Sequence, residues 1–112
     1  DLSKDLSLLE SEKTILKEVN LKQADLSRAD LRGSDLSKST LNRASLSKAI
    51  LIDSILIGAD LTDTDLRETN LSKANLTGAN LKNAIIRWAR TDYVIFCHTT
   101  MPDGKENNTS CR

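Results

Sequence analysis

Leucine recurs at every fifth position through the middle of the chain, from Leu21 to Leu81 without a break. The same five-residue spacing continues through other residues as far as Met101. Two residues before each leucine from Leu26 onward stands Ala, Ser or Thr, and the position between the two is most often Asp or Asn. The apolar and polar positions therefore follow a true repeat of five residues.

Neither an α-helix nor a straight strand accommodates a period of five. On a helix at about 100° per residue, successive leucines would spiral around every face. In a straight strand an odd step would place them on alternate faces. The small residue and the leucine, two apart, share one side of an extended segment. The pattern predicts short extended pieces separated by turns, in which Asp and Asn favour local backbone hydrogen bonding. Four such pieces would close a coil of about 20 residues, and coils would stack at about 4.8 Å.

Several five-residue units resemble those of pentapeptide repeat proteins: ADLSR (24–28), ADLTD (59–63), ANLTG (74–78) and ANLKN (79–83). The resemblance implies an all-β fold, a right-handed quadrilateral parallel β-helix with leucine at its core. It covers residues 19–98, or about four coils at 20 residues each. The segment FCHTTMPDGKENNTSC (96–111) is similar to the closing segment of many cyanobacterial members, although Thr-Ser precedes Cys111 where those tails often have a glycine.

A solenoid needs a cap at each end. We expect residues 1–18 to form an N-terminal cap, with a short helix opened by the capping box of 7–10. Leu16 could begin a degenerate unit. The β-helix would occupy 19–98 and a capping tail 99–112. Val94, Phe96 and Met101 place larger side chains in core positions, and the turn residues 102–104 end the regular path.

Two cysteines, Cys97 and Cys111, lie on either side of that turn. A disulfide would tie the tail to the last coil and imply an oxidising compartment, the periplasm or the thylakoid lumen. The alternative is two separate thiols in a reducing compartment such as the cytoplasm. His98 beside Cys97 offers only two metal ligands, which falls short of a zinc site, so we expect no metal.

Charge and composition narrow the classes of function. The 112 residues carry 16 basic and 16 acidic side chains, a net charge of zero, and aromatic residues make up 3%. Neutrality argues against binding to nucleic acid or an anionic membrane surface. No apolar run approaches the length of a membrane span, which predicts no membrane insertion. No phosphate-binding loop, dinucleotide fingerprint or zinc-protease motif occurs, so we expect neither an enzyme nor a cofactor.

One coil breaks the polar pattern of the outward positions. With Leu51 and Leu56 in the core, four isoleucines must face outward, Ile50, Ile52, Ile55 and Ile57. These side chains either stiffen the wall as β-branched residues or form a patch for a partner or a second copy, consistent with a monomer or weak dimer. Arg87 and Trp88 on the last full coil form a weaker candidate patch.

The sequence therefore favours a non-enzymatic structural or interaction module whose rigid faces bind an unidentified protein partner. The resemblance suggests an alternative, because some pentapeptide repeat proteins inhibit DNA gyrase by imitating duplex DNA. A rod of about 19 Å imitating DNA would need about eleven net negative charges. Residues 19–98 hold 9 acidic and 11 basic side chains, a net +2, which argues against the imitation.

Overall fold

The five-residue period becomes a four-sided coil in the computed structural model, which describes residues 14–111. Fourteen parallel bridges link outward residues, and every bridged pair is 20 residues apart, from Ile15 with Asp35 to Asn80 with Thr100. Each side supplies one bridged residue per coil, so the extended pieces are too short to be strands. No helix occurs between residues 14 and 111. The predicted 20-residue coil is confirmed.

The leucines and the small residues fill the interior, as the pattern predicted. All thirteen leucines of the repeat are buried, and Ala, Ser or Thr two residues before them is buried beside them. Val94 is also buried, while Phe96 and Met101 are half-buried against the end of the core. These three side chains pack against the leucine core, and their role as a C-terminal cap stays a prediction.

Each corner of the coil is a turn whose third residue adopts a left-handed backbone. In the turn from Leu46 to Ala49, for example, the Ala49 N–H donates to the Leu46 carbonyl at 2.9 Å, and Lys48 has φ of 62°. Between residues 14 and 111 the second residue of these turns has no positive φ, which is the pattern of a type II turn. Such corners favour glycine, yet fourteen non-glycine residues between residues 14 and 111 occupy left-handed conformations. Burial of one leucine, worth about 1.5–3 kcal/mol, offsets the 1–2 kcal/mol of strain at each corner.

The Asp and Asn residues turn the backbone, as expected. All nine Asx residues at the outward position between Asn20 and Asn80 accept the backbone N–H two residues later. Asp25 does so from Ser27 at 3.0 Å and also accepts the Ser27 hydroxyl. Their carboxylates and amides face outward and are occupied in local turns.

At the N-terminal end, the repeat already includes residues 14–18. Ile15 bridges Asp35, the Leu16 N–H donates to the Asp35 carbonyl at 2.7 Å, and Glu18 has the left-handed corner φ of 57°. The degenerate unit suggested by Leu16 is therefore present. The helix predicted near residues 7–10 lies outside the described residues.

The C-terminal tail folds back on the last coil. Strand β1 (Thr99–Thr100) pairs antiparallel with β2 (Glu106–Asn107). The chain reverses between them at a turn in which the Gly104 N–H donates to the Met101 carbonyl at 2.8 Å and Gly104 has φ of 86°. The tail therefore runs along one side of the coil, where a further coil would otherwise continue.

Candidate functional site

The isoleucine patch is more covered than the sequence suggested. Ile50, Ile52 and Ile55 point away from the core but are half-buried, and only Ile57, 38% exposed, is an exposed apolar residue. Ile50 lies between Asp30 and Asn70 in neighbouring coils, which approach closely enough to cover much of a β-branched side chain. All four isoleucines face outward, as expected, but three of them are only partly exposed, and their role as a binding patch stays a prediction.

Exposed apolar side chains concentrate instead on the last coil. Four of them form what we call the C-terminal rim: Ile85 (48% exposed), Trp88 (71%), Tyr93 (85%) and Ile95 (39%). The Arg87 guanidinium lies 5.5 Å from the centre of the Trp88 ring, a cation–π contact that orients the indole. The predicted pair Arg87–Trp88 thus lies within a larger exposed surface, of which Tyr93 and Ile95 were not recognised from sequence.

The same two sides of the coil end in an open β edge. One coil earlier, the N–H groups of Leu66, Glu68, Leu71 and Lys73 donate to the carbonyls of the last coil at 2.8–3.1 Å. The corresponding N–H groups of the last coil have no acceptor within residues 14–111; they belong to Ile86, Trp88, Thr91 and Tyr93. Unpaired donors in a row form a template for another strand.

The tail covers the neighbouring side and closes its edge. Ser110 donates its N–H to the Phe96 carbonyl at 2.9 Å, and its hydroxyl accepts the Phe96 N–H at 3.1 Å. The His98 N–H donates to Oδ1 of Asn108 at 2.7 Å. Side chains of the tail thus replace the carbonyls of a missing coil, which leaves the open edge confined to residues 86–93.

Two shallow clefts separate the tail from the last coil. One, of about 560 Å³, is lined by Ile86, Met101 and residues 105–109. The other, of about 490 Å³, lies between residues 93–95 and 109–111. Both border the open edge, so the tail adds side walls to the rim without covering it.

The cysteine pair predicted from sequence is brought together. Cys97 and Cys111 form a disulfide that closes the loop containing the tail hairpin. His98 lies beside it, and its Nδ1 is 3.5 Å from Oε2 of Glu106. The hydrogen bond from Asn108, followed by that from His98, holds the pKa of Glu106 below its ordinary value. A third donor near Cys97 and His98, which the sequence expectation lacked, is supplied by Cys111.

Two aspartates of the coils form ion pairs with arginines of the same wall. Arg32 binds Asp30 through two hydrogen bonds of 2.9 and 2.7 Å, and Arg67 binds Asp65 in the same way. The side-chain hydrogen bond from each arginine holds the pKa of its aspartate below the ordinary value. These carboxylates therefore remain ionised and neutralised, which suits a structural role better than acid–base chemistry.

Comparison with known families identifies the class of protein. The model of the pentapeptide repeat family, described as "Pentapeptide repeats", matches residues 14–53 and 54–90 in eight copies. The chain therefore belongs to the pentapeptide repeat family, whose members are right-handed quadrilateral β-helices and generally serve as structural or interaction modules rather than enzymes. The resemblance seen in the sequence is confirmed.

Several solved structures are similar to this chain. HetL, a pentapeptide repeat protein involved in heterocyst differentiation regulation from the cyanobacterium Nostoc sp. strain PCC 7120, is 34% identical with a TM-score of 0.84. The match covers 92% of this chain and 47% of HetL, so the chain spans about half the length of that protein. Rfr23 from the cyanobacterium Cyanothece 51142 is 26% identical with a TM-score of 0.70, over 82% of this chain and 83% of Rfr23.

A more distant likeness concerns the fold alone. QnrB1, a plasmid-mediated fluoroquinolone resistance protein, is 15% identical with a TM-score of 0.52, over 82% of this chain and 55% of QnrB1. No curated sequence matched the chain in a direct comparison. Within residues 14–111, no helix is long and apolar enough to cross a membrane.

Proposed function

We propose that this chain is a non-enzymatic protein-interaction module that binds an extended segment of a partner protein at its C-terminal rim. The observation that carries the proposal is a coincidence of two features on the last coil. Four unpaired backbone N–H groups lie at residues 86–93, and the four exposed apolar side chains of the rim surround them. A partner segment that is extended along each side and bends at the corner would satisfy the N–H groups, while the aromatic side chains would supply contact area.

Charge supports a protein partner over the DNA-mimic alternative. The coils of residues 19–98 carry a net +2, and two of their aspartates are neutralised by Arg32 and Arg67. A surface imitating duplex DNA would need a dense, uncompensated negative charge. The likeness to QnrB1 extends to the fold and adds no argument for binding to gyrase. The half-buried isoleucine patch is a second candidate surface for the same class of partner.

The proposal is tested by affinity capture from a lysate of the native organism, with three forms of the full chain as bait. These are the wild type, the double variant Trp88→Ser with Tyr93→Ser, and the control Ile57→Ser, which removes an exposed apolar side chain from an earlier coil. We expect the wild type and the control to retain the same protein and the double variant to lose it. Equal recovery by all three baits would contradict a binding site at the rim.

Hydrogen exchange then locates the contact. If a partner adds a strand to the open edge, the backbone amides of residues 86–93 exchange more slowly in the complex than in the free chain. Protection centred on Ile50–Ile57 would instead assign binding to the isoleucine patch.

A further inference from the structure

Three potential metal ligands converge where the tail meets the last coil. The sulfur atoms of Cys97 and Cys111 and an imidazole nitrogen of His98 all lie within 4.8 Å of one another. Within residues 14–111 this is the one group of three or more such side chains gathered closely enough to hold an ion. In a tetrahedral zinc site, ligand atoms 2.0–2.3 Å from the metal lie about 3.5–3.8 Å apart. The imidazole nitrogen would therefore need to approach the sulfur atoms by about 1 Å, and the two sulfur atoms would need to separate by about 1.7 Å on reduction.

The backbone explains why adjacent residues converge here. Cys97 and His98 would point to opposite sides of an extended strand, but His98 adopts a left-handed φ of 51°. Histidine is among the few non-glycine residues enriched in that conformation. With this bend, a nitrogen of the His98 ring lies within 4.8 Å of both sulfur atoms.

Hydrogen bonds hold the two cysteines together independently of their covalent bond. Ser110, next to Cys111, makes two hydrogen bonds to the backbone of Phe96, next to Cys97. The His98 N–H donates to Asn108, and β1 pairs with β2 beyond it. Reduction would therefore leave two thiols facing each other on a paired backbone.

Glu106 supports the imidazole in the way that carboxylates support metal-binding histidines. Its Oε2 lies 3.5 Å from Nδ1 of His98 and accepts a hydrogen bond of 2.8 Å from the side-chain amide of Asn108. A carboxylate on Nδ1 fixes the ring of a metal-binding histidine, so the proposal assigns Nε2 of His98 as the ligand atom. Glu106 is thus a positioning residue, and its charge favours a bound cation.

We propose that reduction of the Cys97–Cys111 disulfide creates a Zn²⁺ site formed by Cys97, His98 and Cys111, with water as the fourth ligand. A dithiol reductant supplies two electrons and two protons, the S–S bond breaks to two thiols, and the reductant becomes a disulfide. Zn²⁺ then forms two Zn–S bonds and displaces both thiol protons to solvent. The tail is therefore fastened to the last coil covalently under oxidising conditions and by the metal under reducing conditions.

The test is a metal titration of the full chain in both redox states. The probe is Co²⁺, whose thiolate charge-transfer absorption reports sulfur ligation, followed by displacement with Zn²⁺. The chain is reduced with a phosphine, because dithiols bind zinc themselves. We expect one metal per reduced chain and none on the oxidised chain. Equal binding by the two forms, or one metal shared by two chains, would overturn the proposal.

Variants separate the roles of the ligands. Cys111→Ser should abolish the thiolate absorption characteristic of two sulfur ligands. His98→Asn, which tolerates the left-handed backbone, should weaken binding at least about tenfold, and Glu106→Gln about 10–100-fold. The matched control Glu68→Gln, an exposed acid on an earlier coil, should leave affinity unchanged. In addition, Zn²⁺ should raise the melting temperature of the reduced wild type but not of His98→Asn. If His98→Asn binds Co²⁺ as tightly as the wild type, the proposed ligand set is wrong.

Discussion

Lys48 offers a direct measurement of the strain stored in the corners of the coil. Its side chain is exposed, its backbone φ is 62°, and its N–H donates to the Arg67 carbonyl at 3.0 Å. Replacing it with glycine keeps that hydrogen bond and removes the clash between Cβ and the backbone. A left-handed conformation costs a non-glycine residue about 1–2 kcal/mol, which glycine would relieve. Against that gain, glycine destabilises the folded chain by about 0.4–1 kcal/mol, because it raises the conformational entropy of the unfolded chain. We expect Lys48→Gly to raise the free energy of unfolding by about 0.5–1 kcal/mol.

Lys82 provides the matched control. It is also exposed but occupies the second position of its turn, where φ is not positive, and its N–H donates to Asn80. Glycine relieves no strain there, so only the entropic penalty remains. Lys82→Gly should therefore lower the free energy of unfolding by about 0.4–1 kcal/mol. The same chemical change at two lysines thus gives opposite signs.

Denaturant unfolding of the oxidised chain, followed by circular dichroism, measures both changes. A difference of 1 kcal/mol corresponds to about 4 °C in the melting temperature of a domain this size, so calorimetry provides an independent check. The slope of the denaturant transition should be the same for all three proteins, because no apolar side chain changes its burial. Destabilisation by Lys48→Gly as large as that by Lys82→Gly would refute the assignment of strain to the left-handed corners.

Two further predictions follow from single side chains in the wall. The buried hydroxyls of Ser34 and Ser54 have no hydrogen-bond partner among the described residues. Ala74 occupies the position equivalent to Ser54 one coil later, so an alanine fits there. Ser54→Ala should therefore stabilise the chain by about 1 kcal/mol. Ser39→Ala, which removes a 2.6 Å bond to the Leu36 carbonyl, should destabilise it by a similar amount in the same unfolding assay; equal effects of the two changes would contradict this reasoning. In the wild type, the hydrogen bond and charge of Arg67 lower the pKa of Asp65 in the folded chain. Asp65→Asn keeps the turn but loses this ion pair. The stability from that lowered pKa is present above the pKa of the unfolded aspartate and disappears as pH falls through the folded value. The wild type should therefore exceed Asp65→Asn in denaturant midpoint near about pH 7 and converge with it near about pH 2, and a constant gap would exclude the linkage.

The periodic part of this molecule can be predicted from the sequence because the residues within each five-residue unit determine the conformation of that unit. The leucine fixes which side faces inward, the small residue two positions earlier fits beside it, and the Asx residue accepts the N–H that bends the chain. The left-handed backbone conformation of the corner residues cannot be predicted from the sequence. Lys48 and Trp88 have the same φ as Gly58 within about 5°, although neither residue prefers it. There the ladder between coils and the buried leucines override local preference.

The open edge and the hydrogen bonds of the tail could not be predicted for a different reason: they depend on which hydrogen bonds the next coil fails to make. The five-residue period predicts that Ile52 and Trp88 both face outward. In the structure Ile52 is half-buried and Trp88 is exposed. Ile52 is the second residue of its turn, whereas Trp88 is the third, a position that is exposed in the middle coils as well, as at Lys48 and Asp53. A repeat constrains its middle coils to be nearly equivalent, so distinctive chemistry concentrates where the repeat stops. The open edge at residues 86–93 and the cluster around Cys97 and Cys111 both arise at that boundary.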